Sequence, residues 1–314
     1  METRKLGNTD LQVSVVGLGT WALGGDFFGR VDDGQSVKAI QEAIDSGINL
    51  VDTAPAYGAG HSEEIVGRAL RGRRDRAVIA TKVGVLREGG KFIKNLKPES
   101  IRREIDDSLR RLQVDVIDLY QVHWPDPDTP LEESLEELAR IREAGKFRYL
   151  GVSNFGPELM DRAAAVTEIV SLQPHYSLLR RDIEQDALPY CRERGLGVLS
   201  YGTLAGGILT GKFREIPTFE KGDRRGDFYD FFREPVWSGV QGLLDVLRTI
   251  AEERERPTAQ VAIRWAVQQP GVTTALVGAK NPQQARSNAG GGNWELSSEE
   301  LRRIDLAWRE HLGL

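Results

Sequence analysis

The chain has 314 residues and a formal net charge of −5 at pH 7, with 40% hydrophobic and 28% charged residues. This composition is typical of a globular protein with a large core, and the mild acidity excludes binding to nucleic acid through displaced counterions. The single cysteine excludes an intrachain disulfide. The sequence shows no secretory signal and no run of roughly 20 apolar residues that could span a membrane. Together these features predict a cytoplasmic protein that is not embedded in a membrane.

Short runs of valine, isoleucine and leucine recur along the chain with little polar alternation, which is typical of strands buried on both faces of a parallel sheet. Segments with helical spacing of apolar residues lie between them, as in Lys97–Gln113 and from Leu131 to Ile141. The predicted strands are Val15–Gly19, Leu50–Ala54, Ala77–Thr81, Val116–His123, Phe147–Ser153, Ile169–Gln173, Gly197–Tyr201 and Thr273–Gly278. Eight such units close into an α/β fold of the (β/α)8 TIM-barrel type, which the strand count favours over an open, doubly wound sheet.

Three segments fall outside the repeating pattern. Residues 4–13 predict a β-hairpin ahead of the first barrel strand, and Ser297–His311 predicts a capped helix after the last unit. The stretch from Gly202 to about Trp237 has no periodicity and is predicted to be a long functional loop. We therefore expect one domain over residues 1–314, a TIM barrel with an N-terminal β-hairpin and extra C-terminal helices.

Two glycine-rich motifs come close to nucleotide-binding signatures without meeting their requirements. Gly17–Ala22 fits the dinucleotide fingerprint, but helical spacing begins only near Asp33, too late to present a helix N-terminus to a pyrophosphate. Gly206–Phe213 nearly matches a P-loop, but Phe213 stands where a hydroxyl should ligate magnesium. These departures argue against a Rossmann-type dinucleotide site and against a P-loop. The Gly206–Phe213 loop and its Lys212 could still bind a phosphate without magnesium.

Four titratable residues follow neighbouring predicted strands: Asp52 after the second, with Tyr57 five residues later, Lys82 after the third and His123 after the fourth. In a barrel these positions meet at one mouth. A lysine close to a tyrosine is expected to lower the phenol pKa from about 10 towards the working range. Asp52 is the candidate partner for the Lys82 charge, and His123 could orient a substrate oxygen for protonation by Tyr57.

The alternative is structural. Asp52 and Lys82 could form a simple salt bridge, with Tyr57 and His123 on the rim of the barrel. His175, after the sixth strand, is a lesser candidate for the site. No pair of histidine, aspartate or glutamate residues has the helical spacing of metal ligands, so no metal is predicted.

Several stretches carry a resemblance to a known family. They are Gly17–Trp21, Val51–Ala54 with Tyr57–Gly58, Ala80–Lys82, Asp118–Trp124, Gly151–Phe155 and Leu204–Lys212. On these motifs the chain resembles the aldo-keto reductase superfamily from about residue 3 to residue 312, and is similar to bacterial reductases of the inositol-utilisation and general-stress type. The resemblance implies an NADPH-dependent oxidoreductase that reduces aldehydes or ketones. It also implies a catalytic tetrad of Asp52, Tyr57, Lys82 and His123, in which Tyr57 protonates the carbonyl.

The resemblance further implies how the cofactor binds. Ser153, Asn154 and Gln173 would hold the nicotinamide carboxamide, the Gly202–Lys212 loop would wrap the pyrophosphate, and Lys280 would pair with a 2′-phosphate. The implied cofactor contacts are Thr20, Trp21, Asp52, Ser153, Asn154, Gln173, Tyr201, Gly202, Thr203, Leu204, Gly206, Lys212, Arg225, Gly278, Lys280, Gln284 and Asn288. Ser287 stands where the family usually has a glutamate, which leaves NADH possible as well as NADPH.

The implied substrate contacts are Trp21, Tyr57, His123 and Trp124, and the loops Phe27–Arg30 and Phe228–Phe232 are expected to complete the pocket, whose polarity stays open. The expected partner is a small carbonyl or alcohol, with a monomer as the default. Two alternatives remain: an NAD(P)-dependent dehydrogenase that oxidises a sugar or polyol, and a regulatory subunit like the potassium-channel β subunits.

Overall fold

The structure is a computed structural model that describes residues 1–89 and 91–313. Its strands are β1 (Thr3–Lys5), β2 (Gln12–Ser14), β3 (Val16–Gly19), β4 (Leu50–Asp52), β5 (Val78–Val83), β6 (Val85–Glu88), β7 (Lys91–Lys94), β8 (Ile117–Val122), β9 (Phe147–Ser153), β10 (Ser171–Gln173), β11 (Gly197–Ser200) and β12 (Thr274–Gly278). Its α-helices are α1 (Asp33–Asp45), α2 (His61–Ala69), α3 (Pro98–Leu112), α4 (Leu131–Glu143), α5 (Pro157–Val166), α6 (Ala187–Arg194), α7 (Arg225–Phe228), α8 (Val236–Glu253), α9 (Thr258–Gln268), α10 (Pro282–Ala289) and α11 (Ser298–Leu312). Short 3₁₀ helices cover Trp21–Leu23, Arg74–Arg76, Asp182–Glu184, Ala205–Thr210, Asp230–Phe232 and Gly290–Gly292.

Eight parallel strands close a barrel in the order β3, β4, β5, β8, β9, β10, β11, β12. The last strand pairs with the first, with Leu276 opposite Gly17, so the barrel has no open edge. Each of the eight predicted strands forms, with bounds within two residues of those predicted. The predicted (β/α)8 TIM barrel is confirmed.

Apolar periodicity explains how the outer helices pack. In α3 the side chains of Ile101, Ile105 and Leu112 are buried on one face, and α4 does the same with Leu135 and Leu138. Each such side chain contributes about 1.5–3 kcal/mol when fully buried. None of the helices in residues 1–89 and 91–313 is long and apolar enough to span a membrane.

The predicted additions at both ends of the chain are also confirmed. Strands β1 and β2 form the N-terminal hairpin, and its Leu6, Leu11 and Val13 pack against the apolar interior of the barrel. Helix α11 begins with a capping box, in which Ser297 and Glu300 each accept a hydrogen bond from the other's backbone amide. The hairpin covers apolar side chains at one end of the barrel, and α11 packs against the outer helix α8.

Two segments differ from the sequence-based expectation. A second hairpin, β6 with β7, follows β5 at the mouth of the barrel and was not predicted, because its strands are four residues long and carry mainly exposed side chains. The stretch after Gly202 is not structureless: it contains two 3₁₀ helices and α7, and it buries Tyr229, Phe231 and Phe232. The buried aromatic side chains hold this segment in place, although its sequence has no helical or strand-like spacing of apolar residues.

The loop after β4 is held by a tight approach of two backbone segments. Gly58 has φ +62°, and a Cβ atom there would collide with the carbonyl oxygen of Gly24. We expect Gly58→Ala to lower the free energy of unfolding by about 3 kcal/mol, since the cost of a left-handed backbone conformation and the cost of the backbone clash add together. The matched control is Gly72→Ala, at φ +73° with no atom within 4 Å, which should cost about 1 kcal/mol. Equal losses in urea unfolding would show that the Gly24 contact does not constrain this loop.

Candidate active site

The barrel brings the four predicted tetrad residues together at the carboxyl ends of its strands. Asp52 ends β4, Lys82 lies near the end of β5 and His123 directly follows β8. The Lys82 Nζ atom lies 2.7 Å from Asp52 Oδ2 and 3.2 Å from the Tyr57 hydroxyl oxygen. The rings of Tyr57 and His123 meet edge to face, with 6.0 Å between their centroids. A phenol, an ammonium, a carboxylate and an imidazole thus share one small volume.

The Asp52–Lys82 ion pair is buried and fully hydrogen-bonded. The two side chains are 4% and 1% exposed, and Lys82 also donates to the carbonyl oxygen of Thr53 at 2.9 Å. The other Asp52 oxygen accepts hydrogen bonds from the amides of Gln173 at 2.7 Å and Gln121 at 3.2 Å. Sequence reasoning missed Gln121. The available signal was a polar side chain inside the apolar run of β8, two residues before His123.

Burial sets the protonation of this cluster. Burial raises the pKa of Tyr57, and the nearby charge of Asp52 raises it further. The expectation that Lys82 would lower the Tyr57 pKa is therefore wrong, because Asp52 balances the lysine charge and the phenol is desolvated. Burial also lowers the pKa of Lys82, against the opposing effect of Asp52. For His123, burial and the Lys82 charge both lower the pKa, which leaves a neutral imidazole beside a protonated phenol at neutral pH.

A cavity of about 230 Å³ opens directly above the tetrad. Its lining residues are Trp21, Ala56, Tyr57, Val85, Phe92, Lys94, His123, Trp124, Ser153, Asn154, Gln173, Tyr201 and Phe228. All four predicted substrate residues line it. Of the predicted loops, the second contributes Phe228, whereas Phe27 and Phe28 of the first pack against Trp21, with centroids 4.4 and 5.2 Å from its ring. The hairpin β6–β7, which sequence reasoning missed, supplies the remaining side of the cavity.

The residues predicted to hold a carboxamide form one hydrogen-bonded group beside the tetrad. The Ser153 hydroxyl donates to the carbonyl oxygen of Gln173 at 2.8 Å, and the Tyr201 hydroxyl donates to Asn154 Oδ1 at 2.9 Å. The Asn154 amide donates to the carbonyl oxygen of His123 at 3.0 Å, so the group is tied to the residue that follows β8. All of these residues except His123 come from the ends of β9, β10 and β11 or the residues just after them.

Thr20, Trp21 and His175 pack around these two groups. The backbone amide and the hydroxyl of Thr20 both donate to the Asp52 carbonyl oxygen at 2.9 Å. Trp21 stacks on Tyr57, with 5.9 Å between ring centroids. His175 lies against the Tyr201 ring, 4.9 Å away and nearly parallel, and burial lowers its pKa to about 4. His175 therefore supports Tyr201 as a neutral ring and does not join the tetrad.

The loop that begins at Gly202 forms a cradle next to two cations. Gly206 and Gly207 have φ of +66° and +98°, and the space that a Cβ at Gly207 would fill lies 3.6 Å from Arg225 Nη1 and 3.9 Å from Lys212 Nζ. Arg225 also pairs with Asp223 at 2.5 Å and donates to the Gly206 carbonyl at 2.9 Å. Of the other two predicted loop residues, Thr203 is buried and donates to the Leu276 carbonyl at 3.0 Å, and Leu204 leads into the 3₁₀ helix. The Arg225 guanidinium and the Lys212 ammonium, next to a glycine backbone that no side chain covers, form a site that fits a phosphate.

The predicted adenosine end lies at the start of α10. Lys280 Nζ donates to the carbonyl oxygen of Phe28, and its pKa is lowered by burial and by the charges of Arg225 and Lys212. Its backbone amide donates to Gln284 at 2.9 Å. The Asn288 amide donates to the Gly278 carbonyl at 3.0 Å. This geometry places a third cation next to the two at the glycine-rich loop, and that cluster favours a ligand with several phosphates.

The buried ion pair generates a stability prediction. We expect Lys82→Met alone to lower the free energy of unfolding by about 3–5 kcal/mol, because the Asp52 carboxylate is left buried without its cation. The double variant Asp52→Asn/Lys82→Met should recover most of that loss in urea unfolding at pH 7. As a control, Arg162→Met removes the exposed ion pair with Glu132 and should leave stability nearly unchanged. A double variant that is no more stable than Lys82→Met would contradict the explanation that an unpaired, desolvated Asp52 carboxylate causes the loss.

Comparison with known proteins places the chain in a family. The sequence model of the aldo/keto reductase family matches residues 15–309. The chain is 41% identical to aldo-keto reductase YhdN of Bacillus subtilis over 97% of this chain and 93% of that protein. It is 35% identical to the NADH-specific methylglyoxal reductase of Escherichia coli over 96% of each.

Among solved structures, the glycerol dehydrogenase AKR11B4 from Gluconobacter oxydans matches with a TM-score of 0.91 and 42% identity over 99% of this chain and 96% of that one. Members of this family are oxidoreductases that act on carbonyls and alcohols with nicotinamide cofactors. The family match covers nearly the whole barrel, and the site described above lies within the matched residues. This chain belongs to the aldo/keto reductase family.

Proposed function

We propose that this enzyme reduces aldehydes or ketones to alcohols with NADPH, and that Tyr57 donates the proton. The observation that carries the proposal is the Tyr57 hydroxyl, 3.2 Å from the buried Lys82 ammonium at the floor of an apolar cavity. Its raised pKa keeps the phenol protonated at neutral pH. The group therefore holds a proton for an oxygen that gains negative charge.

Each member of the tetrad has a distinct task in this proposal. Lys82 stabilises the phenolate that remains when Tyr57 gives up its proton, because a positive charge 3.2 Å away is strong in a desolvated site. Asp52 holds the lysine in place and opposes the loss of its charge. His123 lines the cavity as a neutral imidazole, which can donate one N–H to the substrate oxygen and align it with Tyr57.

The cofactor, when bound, supplies the hydride. Ser153, Asn154 and Gln173 offer hydroxyl and amide groups to its carboxamide, and Tyr201 offers a flat ring supported by His175. The glycine cradle between Lys212 and Arg225 suits the pyrophosphate.

Cofactor preference depends on the adenosine end of the site. Lys280 is the natural partner of a 2′-phosphate, which only NADPH carries. Arg286 is paired with Glu42 at 2.8 Å, and Ser287 has no charge, so neither competes with Lys280 for that phosphate. This supports a preference for NADPH in this chain, although one relative is an NADH-specific enzyme.

The similarity to a glycerol dehydrogenase supports a second candidate, the oxidation of a polyol with NADP or NAD. The same four residues would serve, but Tyr57 would have to accept a proton from the alcohol as a phenolate. Its raised pKa opposes that state at neutral pH. Reduction is therefore the favoured direction near neutrality, and oxidation should gain only as the pH rises.

The proton-donor assignment is tested by Tyr57→Phe. We expect turnover to fall at least about a hundredfold in methylglyoxal reduction with NADPH and in glycerol oxidation with NADP, because the variant has no proton to transfer. NADPH affinity, measured by quenching of tryptophan fluorescence, should stay within about twofold. Tyr149→Phe is the control, since that hydroxyl binds Asp10 near the N-terminal hairpin. Near wild-type turnover in Tyr57→Phe would overturn the assignment.

The NADPH preference is tested by Lys280→Ala. Loss of a charge-assisted contact should weaken NADPH binding by about 10- to 100-fold, and NADH binding by less than about threefold. Fluorescence titration with both cofactors measures the two dissociation constants. Lys146→Ala, which removes a lysine bound to Asp106, should change neither. Equal losses for NADPH and NADH would remove Lys280 from the 2′-phosphate site.

A further inference from the structure

A single charged side chain enters the substrate cavity from the hairpin β6–β7. Lys94, the last residue of β7, lines the cavity together with Val85 and Phe92 of the same hairpin. Among the described residues that line the cavity, the others are neutral or aromatic and none is a carboxylate. Lys94 is itself exposed, so its ammonium lies at the open side of the cavity, where it stays in water until a ligand with a complementary charge binds.

The position of Lys94 is held from both sides. Its strand partner is Val85, which follows Gly84 at the end of β5, and the Asn95 amide donates to the Gly84 carbonyl at 3.1 Å. The next residue, Leu96, is buried. The backbone at the base of the hairpin, which includes Lys94, is therefore anchored next to the strand that carries Lys82.

The Lys94 ammonium lies over an aromatic ring next to the tetrad. Its Nζ atom is 5.1 Å from the centroid of Trp124, the residue that follows His123. The cation therefore lines the same cavity, of about 230 Å³, as His123 and Tyr57, which would bind the reacting oxygen. A substrate that reached both groups would carry its second polar group a short carbon skeleton away from the carbonyl.

No carboxylate among the described side chains lies within ion-pair distance of Lys94. The Lys94 charge contributes to the lowered pKa of Asp126, but the Asp126 oxygens accept hydrogen bonds from Leu96, Asp128 and Thr129. The ammonium is therefore available to a ligand in the cavity.

We propose that Lys94 selects carbonyl substrates that carry an anionic group, such as a carboxylate, separated from the carbonyl by a short apolar or aromatic skeleton. This rests on the reductase function proposed above and specifies its substrate class. The ammonium forms a charge-assisted hydrogen bond with the anionic end. Trp21, Trp124 and Phe228 pack against the carbon skeleton. A neutral polyol gains nothing from Lys94.

The test uses two aldehydes of the same shape and different charge, 4-formylbenzoate and 4-formylbenzamide. Lys94→Met should lower kcat/KM for the benzoate about tenfold and change that for the benzamide less than twofold. Lys94→Arg, which keeps the charge, should retain the preference of the wild type. Lys91→Met, on the exposed end of the same hairpin, is the matched control and should change neither value.

Two outcomes would overturn the proposal. An equal fall for both aldehydes in Lys94→Met would show that Lys94 only packs against Trp124. No fall in kcat/KM for either aldehyde would show that the Lys94 charge does not reach the substrate.

A binding measurement separates this proposal from the reductase function itself. Benzoate and benzamide are titrated against the protein with bound NADPH, with the change in its tryptophan fluorescence as the signal, since Trp21 and Trp124 line the cavity. Lys94→Met should weaken benzoate binding about tenfold and leave benzamide unchanged. If neither aldehyde is reduced but this difference holds, the reductase function fails and the anion selectivity stands. If both are reduced and the difference is absent, only the anion selectivity fails.

Discussion

The site depends on one buried ion pair, between Lys82 and Asp52. Taking both charges out of water costs several kcal/mol per ion, which their mutual attraction offsets only when the remaining hydrogen-bonding groups are satisfied. The barrel meets that condition, because neighbouring strand ends bring the amides of Gln121 and Gln173 and the carbonyl of Thr53 to the same place. A cation held in this way can stabilise a phenolate without moving, which is the main requirement for proton transfer from a buried phenol.

Much of this arrangement could be predicted from sequence, because parallel strands in a barrel end at one edge. Asp52, Lys82 and His123 each follow an apolar run, so counting strands was enough to place them together. Gln121 could not be found in the same way, since one polar residue inside a buried strand has many structural explanations. The hairpin β6–β7 was missed for the opposite reason: its strands carry Arg87, Lys91 and the exposed side chains of Phe92 and Ile93, so they do not show the apolar pattern of a buried strand.

The direction of the Tyr57 pKa shows a second limit of sequence reasoning. Proximity to a lysine can be inferred from strand order, and proximity alone predicts a lower phenol pKa. The depth of burial and the balance of charge between Lys82 and Asp52 depend on how loops close over the barrel mouth. Here Trp21 stacks on Tyr57 while Phe27 and Phe28 pack around that indole. Desolvation then outweighs the lysine, and the phenol keeps its proton at neutral pH.

Chemistry and selectivity are divided between different parts of the fold. Three residues of the proposed tetrad lie on or next to barrel strands, and Lys280 follows β12, whereas three other cations proposed to bind ligands lie on added segments: Lys94 on the hairpin and Lys212 and Arg225 on the long loop after β11. A change of charge on a segment that is anchored only at its base leaves the buried ion pair intact. If both proposals hold, a change at Lys94 alters which carbonyl compounds bind without altering how Tyr57 gives up its proton. In this proposal the hairpin binds the anionic end of the substrate, while Tyr57 and His123 at the mouth of the barrel bind its carbonyl oxygen.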